Sequence, residues 1–326
     1  MERRDAVVIG ASAGGIDALR LLVERLPAGL PLALCVVLHS NRTSPQVLDA
    51  ILARAGHLPA AYARHGEAME PGRIYIAPAD YHLEIERGRR LRLTRGPREN
   101  RFRPSVDVLF RSAAMALGSQ AVGVVLSGAL DDGTAGLWAI KARGGLAVVQ
   151  DPDEALASGM PESALRHVTV DYCLPVAAIA DVLVDVARTP AAPVALANGR
   201  VEGGAGREAI GPASYFACPE CHGVLAEVIG GGPVRYRCRT GHAYSAESLL
   251  AEMTERNEEA LWNAVRALDE TADVLAGLGE RAAAHGHAED AQALRQRAET
   301  MRRRSEQVRD LTQAPVPAVP PPRDAG

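Results

Sequence analysis

"VVIGASAGGIDAL", residues 7–19, decides the fold. A β-branched apolar run breaks at Gly10 and gives way to a helical pattern, so strand, tight turn and helix follow one another. Such a turn either cradles a phosphate or presents a side chain. The dinucleotide fingerprint G-x-G-x-x-G needs a second glycine for close backbone approach and an acidic residue about 20 positions on. Ser12 occupies that glycine position, and the next apolar run ends in "VVLHSN", with His39 and no carboxylate. A Walker loop needs Gly-Lys-Ser/Thr, yet the one lysine, Lys141, lies between Ile140 and Ala142. Both phosphate readings fail. Gly10-Ala11-Ser12-Ala13-Gly14 instead fits G-x-S-x-G, a sharp elbow that exposes its serine. A serine that merely caps the following helix is the plainer alternative at this turn.

Outward from the turn, short apolar runs alternate with helical patterns through residue 187. Strands are expected at 6–10, 32–38, 73–78, 121–128, 146–150 and 170–175, and helices at 16–26 and 105–117 among others. Continuous apolar strands between helices predict an α/β domain, residues 1–187, with a mostly parallel sheet covered on both faces. "HLEIERGRRLRLT" (82–94) alternates with period two about a glycine-containing turn and predicts a β-hairpin insertion. Residues 188–214, rich in Pro, Gly and Ala, read as a linker.

In a parallel sheet, Ser12, His39 and "SGALDDGTAGL" (127–137) all fall beyond carboxyl ends of strands, the edge where such sheets place their sites. A serine hydroxyl needs a base, and a histidine base needs a carboxylate to fix its tautomer. Each role has a candidate on one edge, with Asp131 and Asp132 both open for the last. Asp-Gly as simple turn chemistry is the alternative for that pair.

"VIGASAGG", "VVLHS", "PGRIYIAPADYH", "RPSVDVLF", "LSGALDDGTAGL" and "ASGMPESAL" occur in the order seen in CheB-type chemotaxis methylesterases, which residues 5–187 resemble. The resemblance implies a doubly wound α/β hydrolase that cleaves glutamate γ-methyl esters on chemoreceptors. Many relatives also deamidate receptor glutamines. It maps Ser12 to the nucleophile, His39 to the base and Asp132, the carboxylate immediately before glycine, to the orienting acid. It also places the Ala129 N–H in the oxyanion region, with Arg103 of "RPSVD" and Met160 of "ASGMPESAL" on the substrate side. No cofactor is implied for catalysis. Two departures stand out. The family's "GMG" is "GAL" here, so Leu130 replaces a glycine that a left-handed backbone would favour. The usual member also carries an N-terminal receiver domain, whereas this chain enters its first strand within six residues. Activity independent of phosphorylation in cis is therefore expected.

Net charge near −4 argues against nucleic-acid binding, and no run approaches the ~18 apolar residues of a membrane span. A strand this close to the N-terminus leaves no room for a signal peptide, so a cytoplasmic location is expected. Eight arginines between Arg87 and Arg103 read mostly as a solvated hairpin face. Arg103 is the leading candidate to dock acidic receptor helices. In residues 215–245, Cys218-x2-Cys221 and Cys238-x3-His242 have the spacing of a structural zinc ribbon, with His222 a less favourable fourth ligand. Residues 246–312 show an apolar stripe at Leu261, Ala264, Leu268, Ala272 and Leu275 and read as a helical hairpin. Residues 313–326 read as a Pro-rich disordered tail. Methyl-accepting receptors are the expected partners, with a methyltransferase or histidine kinase of the same cluster as further candidates. A non-catalytic scaffold on the same fold, or an esterase for another carboxyl ester, is the alternative.

Overall fold

The computed structural model describes residues 4, 6–43, 45–189 and 209–313. They belong to two compact units, divided between Leu250 and Ala251. The first is built on a seven-stranded sheet: β1 (Ala6–Ala11), β2 (Ala33–Leu38), β3 (Ala60–Tyr62), β4 (Arg73–Ile76), β7 (Ala121–Val125), β8 (Leu146–Gln150) and β9 (Tyr172–Leu174). Its order is β3-β4-β2-β1-β7-β8-β9, and every pairing is parallel. Strand β3, in "PAAYA", is short and only half-buried, which is why no apolar run announced it.

Period-two alternation sends side chains to opposite faces, and each face has its own core. Val7, Ile9, Leu34, Val36, Val122 and Val124 pack beneath α1 (Gly15–Glu24), α2 (Leu48–Ala55) and α6 (Val176–Arg188). Ala6, Val8, Cys35, Val37 and Val125 pack beneath α3 (Val106–Leu117), α4 (Thr134–Ala142) and α5 (Gly159–His167). The hairpin forms as expected, β5 (His82–Glu86) against β6 (Arg90–Thr94), with Leu83, Ile85 and Leu91 turned into the second core. The chain winds from β1 toward β3 and β4, then crosses to β7. The reversal lies between β1 and β7, where open α/β sheets leave a crevice at the strands' carboxyl ends.

A second sheet, β10 (Ala209–Ala217), β11 (Val224–Ile229), β12 (Arg235–Cys238) and β13 (Ala243–Ser245), is antiparallel throughout. The expected linker is thus shorter than its composition suggested: Ala209–Ala217 is already strand, and residues 190–208 lie outside the described residues. α7 (Ala246–Ala284) leaves this sheet and continues into the second unit, where it turns at Gly286 into α8 (Ala288–Gln313). Pairs Asp269–Arg309 (3.0 Å) and Asp273–Arg302 (3.6 Å) show the two helices to be antiparallel. The α7 seam passes through Val265, Ala272 and Leu275; Ala264 is exposed, so the expected stripe is corrected by one position. Alternating steps of four and three from Leu261 land on Val265, as a 3.6-residue period requires. The expected disordered tail lies outside the described residues apart from Gln313.

α3 and α4 approach closely at Gly136, where an added Cβ would stand 2.4 Å from Phe110 Cβ and 3.1 Å from Asp107 Cα. Neither atom is the end of a flexible chain. In an open helix Gly→Ala is worth up to about 1 kcal/mol of stability. Here overpacking wins, and Gly136→Ala should destabilise by about 1–3 kcal/mol, read as a lower urea midpoint.

Candidate active site

Ser12 stands one residue past β1 and His39 one residue past β2, and the two strands are paired in register through Ala11 and Leu38. His39 N–H donates to Ala11 O (3.1 Å), and Ser12 N–H donates to Ser127 O (2.9 Å) beyond β7. Gly14, in the left-handed region at φ 74°, turns the chain sharply into α1. The Ser12 hydroxyl makes no hydrogen bond among the described residues, so it is not a helix cap. Its floor is tight: a Cβ on Gly128 would meet Ser12 Cβ at 2.9 Å and would overlap the Met160 sulfur. Met160 is fully buried there, under the serine's edge of the sheet.

His39 and Asp132 are joined directly, Nε2 to Oδ2 at 2.7 Å, with side chains 3% and 1% exposed. Phe102 stacks on the imidazole with ring centroids 3.6 Å apart and planes 8° from parallel. The other ring nitrogen, Nδ1, is buried and has no hydrogen-bond partner among the described residues. An ionised Asp132 fixes the tautomer with the proton on Nε2, which leaves the Nδ1 lone pair free to accept one.

Asp132 gathers four further donors. Oδ2 accepts from Val106 N–H (2.7 Å); Oδ1 accepts from Asn100 Nδ2 (2.9 Å), Ser105 Oγ (2.9 Å) and Asp107 N–H (3.1 Å). Val106 and Asp107 open α3, so the carboxylate also occupies a helix N-terminus. Burial pushes its pKa up, but the hydrogen bond and charge of His39, then Asn100 and the Val106 amide, outweigh it and hold the pKa below the ordinary value. Asp131 faces elsewhere: it accepts from Ser248 Oγ (2.8 Å), and burial raises its pKa. The geometry thereby separates two carboxylates that residue type alone left open.

Ala129 is exposed, and its N–H carries no hydrogen bond among the described residues. Leu130 does take up left-handed backbone, φ 60°, a conformation that costs a branched residue about 1–2 kcal/mol. Gly159 packs beneath it, since a Cβ there would lie 2.8 Å from Leu130 N. Arg103 is committed to the fold: Nε and Nη2 donate to Asp80 (3.0 and 2.5 Å) and Nη1 to Gly96 O (2.7 Å). Arg42 and Arg95 also reach Asp80, at 3.4 and 3.3 Å, and both are more than half exposed. Three guanidiniums around one carboxylate make a net positive patch that begins three residues beyond His39.

In the second sheet, Cys218, Cys221, Cys238 and His242 place their ligand atoms within 4.8 Å of one another. Cys221–Cys238 sulfurs are 3.6 Å apart, and His242 Nδ1 lies 3.5 Å from Cys238 Sγ and 3.7 Å from Cys218 Sγ. A tetrahedron with Zn–S and Zn–N bonds of about 2.3 and 2.0 Å has edges of about 3.5–3.8 Å, so the set fits zinc. Glu220 accepts from the far nitrogen, His242 Nε2, at 3.1 Å, as outer carboxylates do for metal-bound histidines. His222 lies outside the set. No local pattern marks Asn100, Phe102 or Glu220. Ser105 was within the quoted "RPSVDVLF", where a serine ahead of a helical run is a readable cap.

Residues 7–183 match the CheB methylesterase family. A relative from Leptospira interrogans serovar copenhageni is 39% identical over 180 residues, covering 55% of this chain and 93% of its own length. The protein-glutamate methylesterase/protein-glutamine glutaminase 3 of Anaeromyxobacter dehalogenans is 42% identical over 180 residues, 55% of this chain and 53% of the relative. The crystal structure of the Thermotoga maritima CheB methylesterase catalytic domain superposes with TM-score 0.55 at 32% identity, over 56% of this chain and 98% of that one.

Near Asp132 sits Asp107, buried, accepting from Gly136 N–H and Asn100 Nδ2. Burial first, then the Asp132 charge, pushes its pKa up to about 7, against the opposing pull of Arg111 and Arg235; Glu99 adds to the rise. A carboxyl whose folded pKa is raised stabilises the fold below its unfolded pKa, and that contribution is lost as pH rises toward 7. Urea unfolding from pH 4 to 8 should therefore show a downward slope that Asp107→Asn flattens.

Proposed function

The chain belongs to the CheB methylesterase family, and on that premise we propose that it hydrolyses glutamate γ-methyl esters of chemoreceptors through Ser12, His39 and Asp132. One observation carries the reading: among the described residues, the buried His39–Asp132 pair leaves Nδ1 without a partner on the sheet edge that also presents a Ser12 hydroxyl with no hydrogen bond. Ser12 Oγ attacks the ester carbonyl while His39 Nδ1 takes its proton. Asp132 balances the imidazolium through Nε2–H without itself becoming protonated. The N–H groups of Ala129 and Ala13, neither of which is hydrogen-bonded among the described residues, stabilise the oxyanion. His39 returns the proton to the leaving methoxide, and water then clears the acyl-enzyme. The same cycle on a glutamine side chain releases ammonia, the second activity carried in the relatives' names.

The patch of Arg42, Arg95 and Arg103 around Asp80 is the surface we assign to an acidic receptor helix. Its exposed members steer and orient, while Arg103 fixes Asp80 between them. Four protein donors fill a tetrahedral zinc, so the metal is structural and takes no part in hydrolysis. Reduced thiolates in that role suit a cytoplasmic protein. Among the described residues no helix is long and apolar enough to cross a membrane.

Methanol release from methylated receptor membranes tests the reaction. Wild type should release it and Ser12→Ala should be slower by about 10³-fold or more; equal rates would leave a scaffold that keeps only the fold. Metal analysis of the purified chain should return one zinc per molecule. Cys221→Ser should lower that content, and zinc-free folded protein would refute the assignment.

A further inference from the structure

The Cys/His module does more than sit beside the esterase domain. Residues 98–100 run along the edge of β13: Ala243 N–H donates to Arg98 O (3.3 Å) and Asn100 N–H to Ala243 O (2.8 Å). The Asn100 side chain lies between the two domains. Its Oδ1 accepts from Ser245 N–H (2.8 Å), while Nδ2 donates to Asp132 and Asp107 (2.9 Å each). Glu99 is buried and meets Arg111 of α3 (2.6 Å) together with Arg235 and Arg237 of β12 (3.5 and 3.7 Å). On a second side, Gly231 and Gly232 of the β11–β12 turn lie against the Trp138 ring of α4.

The segment so gripped is strained. Asn100 and Arg101 are consecutive left-handed residues, φ 50° and 75°, a conformation that costs an arginine more than an asparagine. Strain of this kind persists only where the surroundings over-determine it. Immediately after it comes Phe102, the ring on which His39 stacks.

We infer that the Cys/His module is a positioning element of the hydrolytic site, acting through Asn100 on the Asp132 carboxylate and through Phe102 on the His39 ring. Asn100 is the positioning residue: a single amide side chain joins β13 to the carboxylate that orients the base. Loss of the metal frees β13, relaxes the 98–103 turn and loosens Asp132 and His39, while the parallel sheet remains folded. The inference rests on the esterase reading for its effect on turnover, but the latch itself can be read without substrate.

Hydrogen exchange on the full chain, metal-loaded and after chelation, gives that reading. Amides of residues 98–103 should exchange at least about tenfold faster without metal, while those of β1 keep their protection. Unchanged protection at 98–103, or loss throughout β1 as well, would overturn the inference. Turnover is measured on Asn100→Gly, which keeps the left-handed backbone, and Asn100→Asp, which keeps the shape and the Ser245 contact but loses the donor. Both should retain their metal and a KM within about twofold, with kcat lower by about tenfold to a hundredfold, the worth of a hydrogen bond to a buried charge. Wild-type kcat in both variants would equally overturn it. A wild type that hydrolyses no ester would sink the esterase reading, and the exchange result would still judge the latch.

Discussion

The carboxylate of Asp132 is the point on which this molecule converges. An isolated buried charge is costly enough that a carboxyl group ordinarily neutralises instead. Here five donors surround it: His39, Asn100, Ser105 and the first two amides of α3. Those donors come from the end of β2 and from the continuous 100–107 run that opens α3, so the charge ties two separate stretches of chain to the loop after β7. Geometry at the His39 imidazole follows from it. With Nε2–H committed to Asp132 and the ring face covered by Phe102, the imidazole has one orientation, and its Nδ1 has no partner among the described residues.

That arrangement also explains why neighbouring acids behave differently. Asp107 lies within the same cluster, where burial and then the Asp132 charge make it hold its own proton more tightly. Glu99 is as buried as either, yet three guanidiniums outweigh burial and keep it ionised. Asp131 is turned away to the hydroxyl of Ser248. Four carboxyls thus sit in four electrostatic settings along one interface, and only one of them meets the histidine.

The parallel sheet, the hairpin, the elbow at Ser12 and the Cys/His spacing were all legible in the sequence, because each rests on local periodicity or on donor spacing. β3 was not, since three half-buried residues make no pattern. Val265 rather than Ala264 in the α7 seam shows how apolar composition alone can misplace a stripe by one residue. Asn100 and Phe102 were hidden for a different reason. Nothing local marks an asparagine whose partners are 7, 32 and 145 residues away. Arg103 read as a docking residue, and the sequence did not show that its donors go to Asp80 and a backbone carbonyl. Long-range polar satisfaction is what a linear reading misses.

Because Asp132 holds the start of α3 as well as His39, the fold and the proposed chemistry share one side chain. Ser12 shares nothing: its hydroxyl supports no helix and no neighbour among the described residues. A lineage that dropped the reaction but kept the domain for binding would thus be free to lose the serine early. The aspartate would persist long afterwards. An intact acid–histidine pair is consequently a record of architecture, and the serine is the more sensitive record of whether a descendant still works as an enzyme.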